Sequence, residues 1–328
     1  MLYVDNGNGH DPSLNLALEE YILRKLPAEN DYLLFYINEP SIIIGKNQNT
    51  AEEVNSEYLQ ENGIHVVRRL SGGGAVYHDL GNLNFSFITR DDGQSFHNFR
   101  KFTEPVVKAL NRLGVDAELS GRNDLQVGER KISGNAQFST RGRMFSHGTL
   151  LFDSRMENVA AALKVNPIKF ESKATKSVRS RVANISEFLK EPMTIDAFKQ
   201  FVLESIFEGQ PIQRYELTEA DWDAVRQLAD ERYRSWNWNY GQSPAFNVQN
   251  VKKLAAGLFD VRLEVVKGEI RGAAVFGDFF GRGEVSEVTD KLIGVRYDRE
   301  SIERALEGVD LPFYFGPVEK DEWFSLLI

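Results

Sequence analysis

The chain has no cysteine in 328 residues. Disulfides, thiolate metal sites and a cysteine nucleophile are therefore excluded. Histidine is scarce, with five in all, and no HExxH or paired-histidine spacing occurs, so protein-bound zinc is not expected. Carboxylates remain available to help hold Mg²⁺ beside substrate phosphates. Positive charge is not in excess: Lys plus Arg is 39, Asp plus Glu is 48, and the net charge is −9. That balance argues against bulk attraction to nucleic acid or an anionic membrane, so an anionic ligand needs a local basic pocket. No run is long and apolar enough to span a bilayer. Residues 1–6 lack the basic stretch and apolar core of a secretory signal, which makes the cytoplasm the expected compartment. The phosphate-loop pattern GxxxxGK[ST], the dinucleotide pattern GxGxxG and the nucleophile elbow GxSxG are all missing.

What remains is ordinary in bulk. A hydrophobic content of 42% and a charged content of 27% suit a globular chain with a sizeable core. The length suits one large domain or two. Asp11-Pro12-Ser13 opens a helix whose apolar face carries Leu14, Leu18, Tyr21 and Ile22 and which Pro27 ends. Residues 32–37 and 41–44 read as strands, followed by the polar loop Gly45-Lys46-Asn47-Gln48. A helix is expected over 51–62, stopped by Gly63. Another is expected over 98–113, with Gly114 just past its end. Strands are expected at 115–119, at 125–127 and 131–133 as a hairpin around Gly128-Glu129-Arg130, and at 136–139 and 144–152. Helices follow near 157–163, 195–207 and 221–234. The Trp-rich stretch 236–244 reads as a boundary. Beyond it lie a hairpin, 261–266 with 270–276, and a helix at 299–306. Two domains are expected, 1–243 and a smaller 244–328. There is no internal repeat.

One stretch organises the chain: Arg68-Arg69-Leu70-Ser71-Gly72-Gly73-Gly74-Ala75-Val76-Tyr77-His78-Asp79-Leu80-Gly81-Asn82. A strand at 64–67 enters it and another at 83–87 leaves it. Three glycines between two strands let the backbone turn sharply and expose N–H groups. With an arginine pair beside them they suit a phosphate or carboxylate. Three more polar, glycine-bearing segments fall in strand–turn settings: Gly121-Arg122-Asn123-Asp124, Lys131-Ile132-Ser133-Gly134-Asn135 and Ser146-His147-Gly148-Thr149. Lys131 precedes small residues, so its ammonium can project into a cleft as a point charge. The cations of 173–181 read either as a solvated loop or as one that closes on an anion.

These segments, in this order, resemble the ATP-dependent lipoate–protein ligase A family. The resemblance also takes in Ser177-Val178-Arg179-Ser180-Arg181-Val182-x-Asn184 and covers essentially the whole chain. It implies an α+β fold: a biotin/lipoate ligase-like catalytic domain, related to class II aminoacyl-tRNA synthetases, with mixed and largely antiparallel sheets, then a small α+β C-terminal domain. The implied reaction has two steps. Lipoate and MgATP give lipoyl-AMP and pyrophosphate. The lipoyl group then passes to a lysine of an apo lipoyl domain of a 2-oxoacid dehydrogenase E2 subunit or of the glycine cleavage H protein.

The resemblance assigns nucleotide binding to Arg69 and to Gly74, Ala75, Val76 and Tyr77. Lys131 would touch both lipoate and adenylate, with Asn82 and Asn123 as neutral hydrogen-bonding groups. Asp124 would serve the metal or the approaching amine and share catalysis with Lys131. Lys173 and Lys176 fall where the family carries an adenylate-binding loop. Ser71, Gly73, His78, His147 and Gly148 complete the expected substrate contacts. No nucleic-acid or membrane partner is implied, and a monomer is expected. The rivals are an octanoyl- or lipoyl-transferase of the same fold, which needs the absent cysteine; a biotin ligase, whose GRGRxG-type loop is absent; and a non-catalytic lipoate-binding protein.

Overall fold

Strand β2 (Tyr32–Ile37) is buried at every position, because the sheet it belongs to is covered on both faces. The computed structural model describes residues 1–163, 182–240 and 246–328. Tyr32, Leu34 and Tyr36 point into a core shared with helix α1 (Pro12–Lys25). Leu33, Phe35 and Ile37 point into a second core, built on Phe102, Val106 and Leu110 of α4 (Phe99–Arg112) and Phe198 and Val202 of α6 (Ile195–Ile206). A strand covered on both sides needs apolar residues throughout, which is why this run lacks alternation.

The main sheet has eight strands in the order β11-β1-β2-β6-β10-β9-β8-β7. The strands are β1 (Leu2–Asp5), β6 (Asn82–Arg90), β7 (Ala117–Ser120), β8 (Asp124–Val127), β9 (Arg130–Thr140), β10 (Arg143–Leu151) and β11 (Arg214–Tyr215), with β2. From β2 onward every pairing is antiparallel. A small sheet, β4 (His65–Arg68), β3 (Ser41–Ile44) and β5 (Val76–His78), packs with α3 (Ser56–Glu61), α5 (Met156–Ala162) and Val54, which follows the short helix α2 (Thr50–Glu53). The expected single helix over 51–62 is thus two short ones, broken where Val54 turns into the core. The strands expected at 131–133 and 136–139 are one strand, β9, running straight through Gly134 and Asn135.

The C-terminal part has its own three-stranded sheet of β12 (Val248–Leu254), β13 (Gly257–Val266) and β14 (Glu269–Gly277). Its core, centred on Phe259, Phe279, Phe315 and Trp323, draws on residues from 248 to 327 alone. The expected domain edge at 243–244 falls outside the described residues. Among the described residues no helix is long and apolar enough to cross a membrane.

Candidate active site

The arginine pair ahead of the glycines divides its work. Arg68 spends its guanidinium on carbonyls of Trp238, Gly45, Lys46 and Gln48 at 2.7–3.0 Å and on Thr50, so it rivets the 45–50 loop to the Trp-rich segment. Arg69 clasps the glycine turn itself. Its Nη2 donates to the carbonyls of Gly72 (2.7 Å) and Gly74 (2.8 Å), its Nη1 to that of Ile43 (3.0 Å), and its Nε to Ser71 Oγ (3.0 Å). Burial lowers both guanidinium pKa values to about 10, so both stay charged at neutral pH. Gly73 sits at φ +90°, a left-handed conformation that only glycine adopts readily.

Behind the turn lies a cavity of about 160 Å³ between α1, the small sheet and the main sheet. Leu16, Tyr36 and Ile43 give it an apolar end, while Arg69, Asn123, Lys131, His78 and His147 give it polar groups. Antiparallel register sets which side chains reach it: Tyr36 of β2 lies opposite Asn84 of β6, and Asn84 opposite Thr149 of β10. Gly148 leaves room at the floor, because a Cβ there would stand 2.1 Å from Asn135 Oδ1 and 2.6 Å from a carbon of the Phe85 ring. Lys131 Nζ pairs with Asp124 Oδ1 at 2.9 Å, with the side chains 40% and 39% exposed. A lysine so open to water can leave its partner for a more strongly charged one.

Two buried networks set the polarity of the far wall. Arg69 Nε donates to Ser71, Ser71 Oγ is hydrogen-bonded to His147 Nε2 at 2.7 Å, and His147 Nδ1 faces Glu19 at 2.9 Å. Ser71 is fully buried and already accepts from Arg69, so it is a support and not a nucleophile. The second network fixes a tautomer. Asn15 Nδ2 donates to carbonyls of Gly9 and Ile37 and to Asn38 Oδ1 (2.9 Å). Asn38 therefore presents its NH₂ to His78 Nδ1 at 3.0 Å. The proton of His78 then sits on Nε2, which is buried without a partner at the cavity wall. Burial, with Arg69 and His147 nearby, pushes the His78 pKa down from 6.5 to about 3.

This shift has a measurable consequence. The folded chain refuses a proton that the unfolded chain accepts below pH 6.5. The stability from neutral His78 is complete above that pH and is lost as pH falls toward 3, by about 1.4 kcal/mol per unit. Urea denaturation at about pH 6, 5 and 4 should show that slope, and His78→Gln should lack it. Equal slopes would mean that His78 takes up its proton while folded.

The structure brings Arg69, Gly73, Gly74, Ala75, Val76, His78, Asn123, Lys131, His147 and Gly148 to the one cavity. It sets others apart. Asn82 is fully buried and bonds Asn84, which faces the cavity in its place. The Tyr77 side chain turns away into the small-sheet core, its hydroxyl accepting from Asn158 Nδ2 at 3.1 Å. Ser71 acts through His147, and Asp124 through Lys131. Lys173 and Lys176 lie outside the described residues. Glu19, Tyr36 and Phe280 escaped the sequence reading, and Asn135 was read only as part of the lysine segment. For Glu19 a signal existed: a carboxylate on the buried side of α1.

Two family models cover most of the chain. The lipoyl protein ligase A/B catalytic domain matches residues 11–207, and the bacterial lipoate protein ligase C-terminus matches residues 243–327. The chain belongs to the lipoate–protein ligase family. Lipoate-protein ligase LplJ of Bacillus subtilis is 59% identical over 330 residues, covering 100% of both chains. A solved bipartite lipoate protein ligase of Thermoplasma acidophilum, described with its E2 lipoyl domain, is 34% identical, covers 75% of this chain and 98% of its own, and superposes with a TM-score of 0.65. A lipoate-protein ligase A solved with ATP is 33% identical, covering 74% of this chain and 97% of its own, with a TM-score of 0.61.

In this lipoate–protein ligase chain, residues 208–242 join the two matched regions. The described part of that join, residues 208–240, is not a loose tether. Helix α7 (Glu219–Leu228) and the turn after it pack on α1, where the Tyr21 hydroxyl donates to Asp221 at 2.6 Å and the Tyr233 hydroxyl to Glu20 at 2.8 Å.

Proposed function

We propose that this chain attaches lipoate to protein in two steps at the cavity bounded by Arg69 and Lys131. One observation carries the reading: a half-exposed ammonium, Lys131, stands at a cavity with an apolar end and a glycine turn clasped by a buried guanidinium. The apolar end suits an alkyl chain, and the polar end suits a carboxylate and a phosphate. In the first step a lipoate carboxylate oxygen attacks the α-phosphorus of ATP. The bond from that phosphorus to the bridging oxygen breaks, and pyrophosphate leaves with the electron pair. Arg69 and Lys131 offset the repulsion between the two anions, as preorganised donors do. In the second step the amine of an acceptor lysine attacks the acyl carbon, AMP departs, and a proton leaves the nitrogen. Once Lys131 turns to the phosphate, Asp124 is free to take that proton.

Magnesium enters with the nucleotide. Asp124 is engaged by Lys131, and among the described residues no group of three or more His, Asp or Glu gathers to cage an ion. The acceptors on this reading are apo lipoyl domains of E2 subunits and the glycine cleavage H protein, the enzyme acts as a monomer in the cytoplasm, and the C-terminal unit begins near residue 244. That unit has to withdraw for ATP to enter. Ligand sites usually span roughly 300–1,000 Å³, whereas this cavity is about 160 Å³, with the Phe280 ring on its wall.

The test is mass spectrometry of an apo lipoyl domain incubated with the protein, ATP and lipoate. A gain of one lipoyl group that requires ATP is expected. No gain despite intact lipoate binding would leave only the non-catalytic lipoate-binding reading.

A further inference from the structure

The C-terminal unit touches the rim of the cavity with oxygen atoms. Phe279 O accepts from the N–H of Gly73 at 3.4 Å, Glu284 Oε1 pairs with Lys46 Nζ at 2.9 Å, and Ala256 O accepts from Arg122 Nη1 at 2.9 Å. The three groups they cover are a glycine-loop N–H, an ammonium and a guanidinium. A chain of phosphates takes the same kind of donor set. All three adjoin the cavity. Lys46 N donates to Ser71 O at 2.9 Å, which holds it against the glycine turn. Arg122 precedes the cavity residue Asn123 and lies 4.5 Å over the ring of Phe280.

We propose that Lys46 and Arg122, with the Gly73 N–H, form the site of the departing pyrophosphate, and that the three C-terminal oxygens occupy it in the resting enzyme. The inference rests on the ligase reading above and extends it to the leaving group. Two features favour the exchange. The Lys46 side chain is 13% exposed whereas Glu284 is 58% exposed, so Glu284 regains water on release while Lys46 gains a more highly charged partner. The direct partners of Arg122 are a neutral carbonyl and a ring, and among the described residues it forms no ion pair, Asp278 and Asp124 acting on it only through space. Pyrophosphate bound here would displace the contacts that hold the C-terminal unit over the cavity. The same cations would stabilise the charge that builds on the leaving group as the α-phosphorus bond breaks.

The experiment is calorimetric titration of the full chain with inorganic pyrophosphate, and separately with lipoate. Lys46→Gln and Arg122→Gln should each weaken pyrophosphate binding about tenfold, the loss of one charge-assisted contact. Glu284→Gln should tighten it severalfold by removing the competitor. Lipoate affinity should stay within about twofold in all three, which also reports an intact fold. Unchanged pyrophosphate affinity in both cation variants, no binding by the wild-type chain, or weaker binding in Glu284→Gln would each overturn the proposal. If the wild-type chain binds pyrophosphate through these residues yet forms no lipoyl-AMP, the ligase reading fails and the anion site stands.

Discussion

Lys131→Ala is expected to lower lipoate-dependent pyrophosphate release by about 10²–10³-fold while leaving the folded state intact. The two halves of that expectation have different physical sources. The ion pair with Asp124 at 2.9 Å joins side chains that are 40% and 39% exposed, and a pair so open to water contributes about 0–1 kcal/mol to stability. Its loss leaves no buried charge unpaired. Catalysis loses more. The lysine is a mobile cation at the mouth of a cavity whose other cation, Arg69, is tied to four neutral acceptors and cannot follow a moving charge. Removing a donor aimed at developing charge typically costs about 2.7–4 kcal/mol of activation free energy. Acyl transfer from preformed lipoyl-AMP, assayed in parallel, separates the steps. A loss below tenfold in pyrophosphate release would remove Lys131 from the chemistry.

Gly73→Val should weaken ATP binding about 10–100-fold and lipoate binding far less. A β-branched residue at φ +90° costs roughly 1–3 kcal/mol in strain. Its Cβ would also stand 2.8 Å from the Phe280 ring and 3.1 Å from Arg69 Nη2, so the guanidinium that clasps the turn must shift. Gly74 is the contrast. A Cβ there meets nothing within 4 Å, and its φ lies outside the left-handed region. Gly74→Ala should therefore keep the fold and hold ATP affinity within a few-fold. Calorimetry with ATP and lipoate on both variants reads the difference. A folded Gly73→Val chain with wild-type ATP affinity would show that the glycine shapes only the turn. Read from the sequence, the two glycines were equivalent; the backbone conformation separates them.

Much of the fold was legible because its causes are local. The apolar run of β2, the Asp11 cap with Pro12 behind it, and the amphipathic face of α4 ending at Gly114 each follow from residues within a few positions of one another. Two strands of the catalytic part that escaped are short and marginal alone. Strand β5 is three residues long and exists only because it pairs with β3 at Ile42 and Tyr77. Strand β1 is four residues held in parallel beside β2. Neither carries enough periodicity to declare itself.

By itself the sequence determined the chemistry on offer. The absence of cysteine removed thioester transfer, the order of the glycine, GRND and lysine segments pointed to a family, and the apolar runs set which faces turn inward. Only tertiary structure decided which of those groups meet. It gave Arg68 to the carbonyls of the 45–50 loop and the Trp-rich segment, and Arg69 to those of the glycine turn at the cavity wall. It set Glu19 against His147 across 128 positions of chain, and Ser13 and Glu20 against the turn after α7. It brought Phe280 from a separately cored unit to the glycine turn. Periodicity reports that a residue is buried because burial depends on local face. The partner of a buried polar group depends on strand register and on how two layers pack, and no local pattern carries that information.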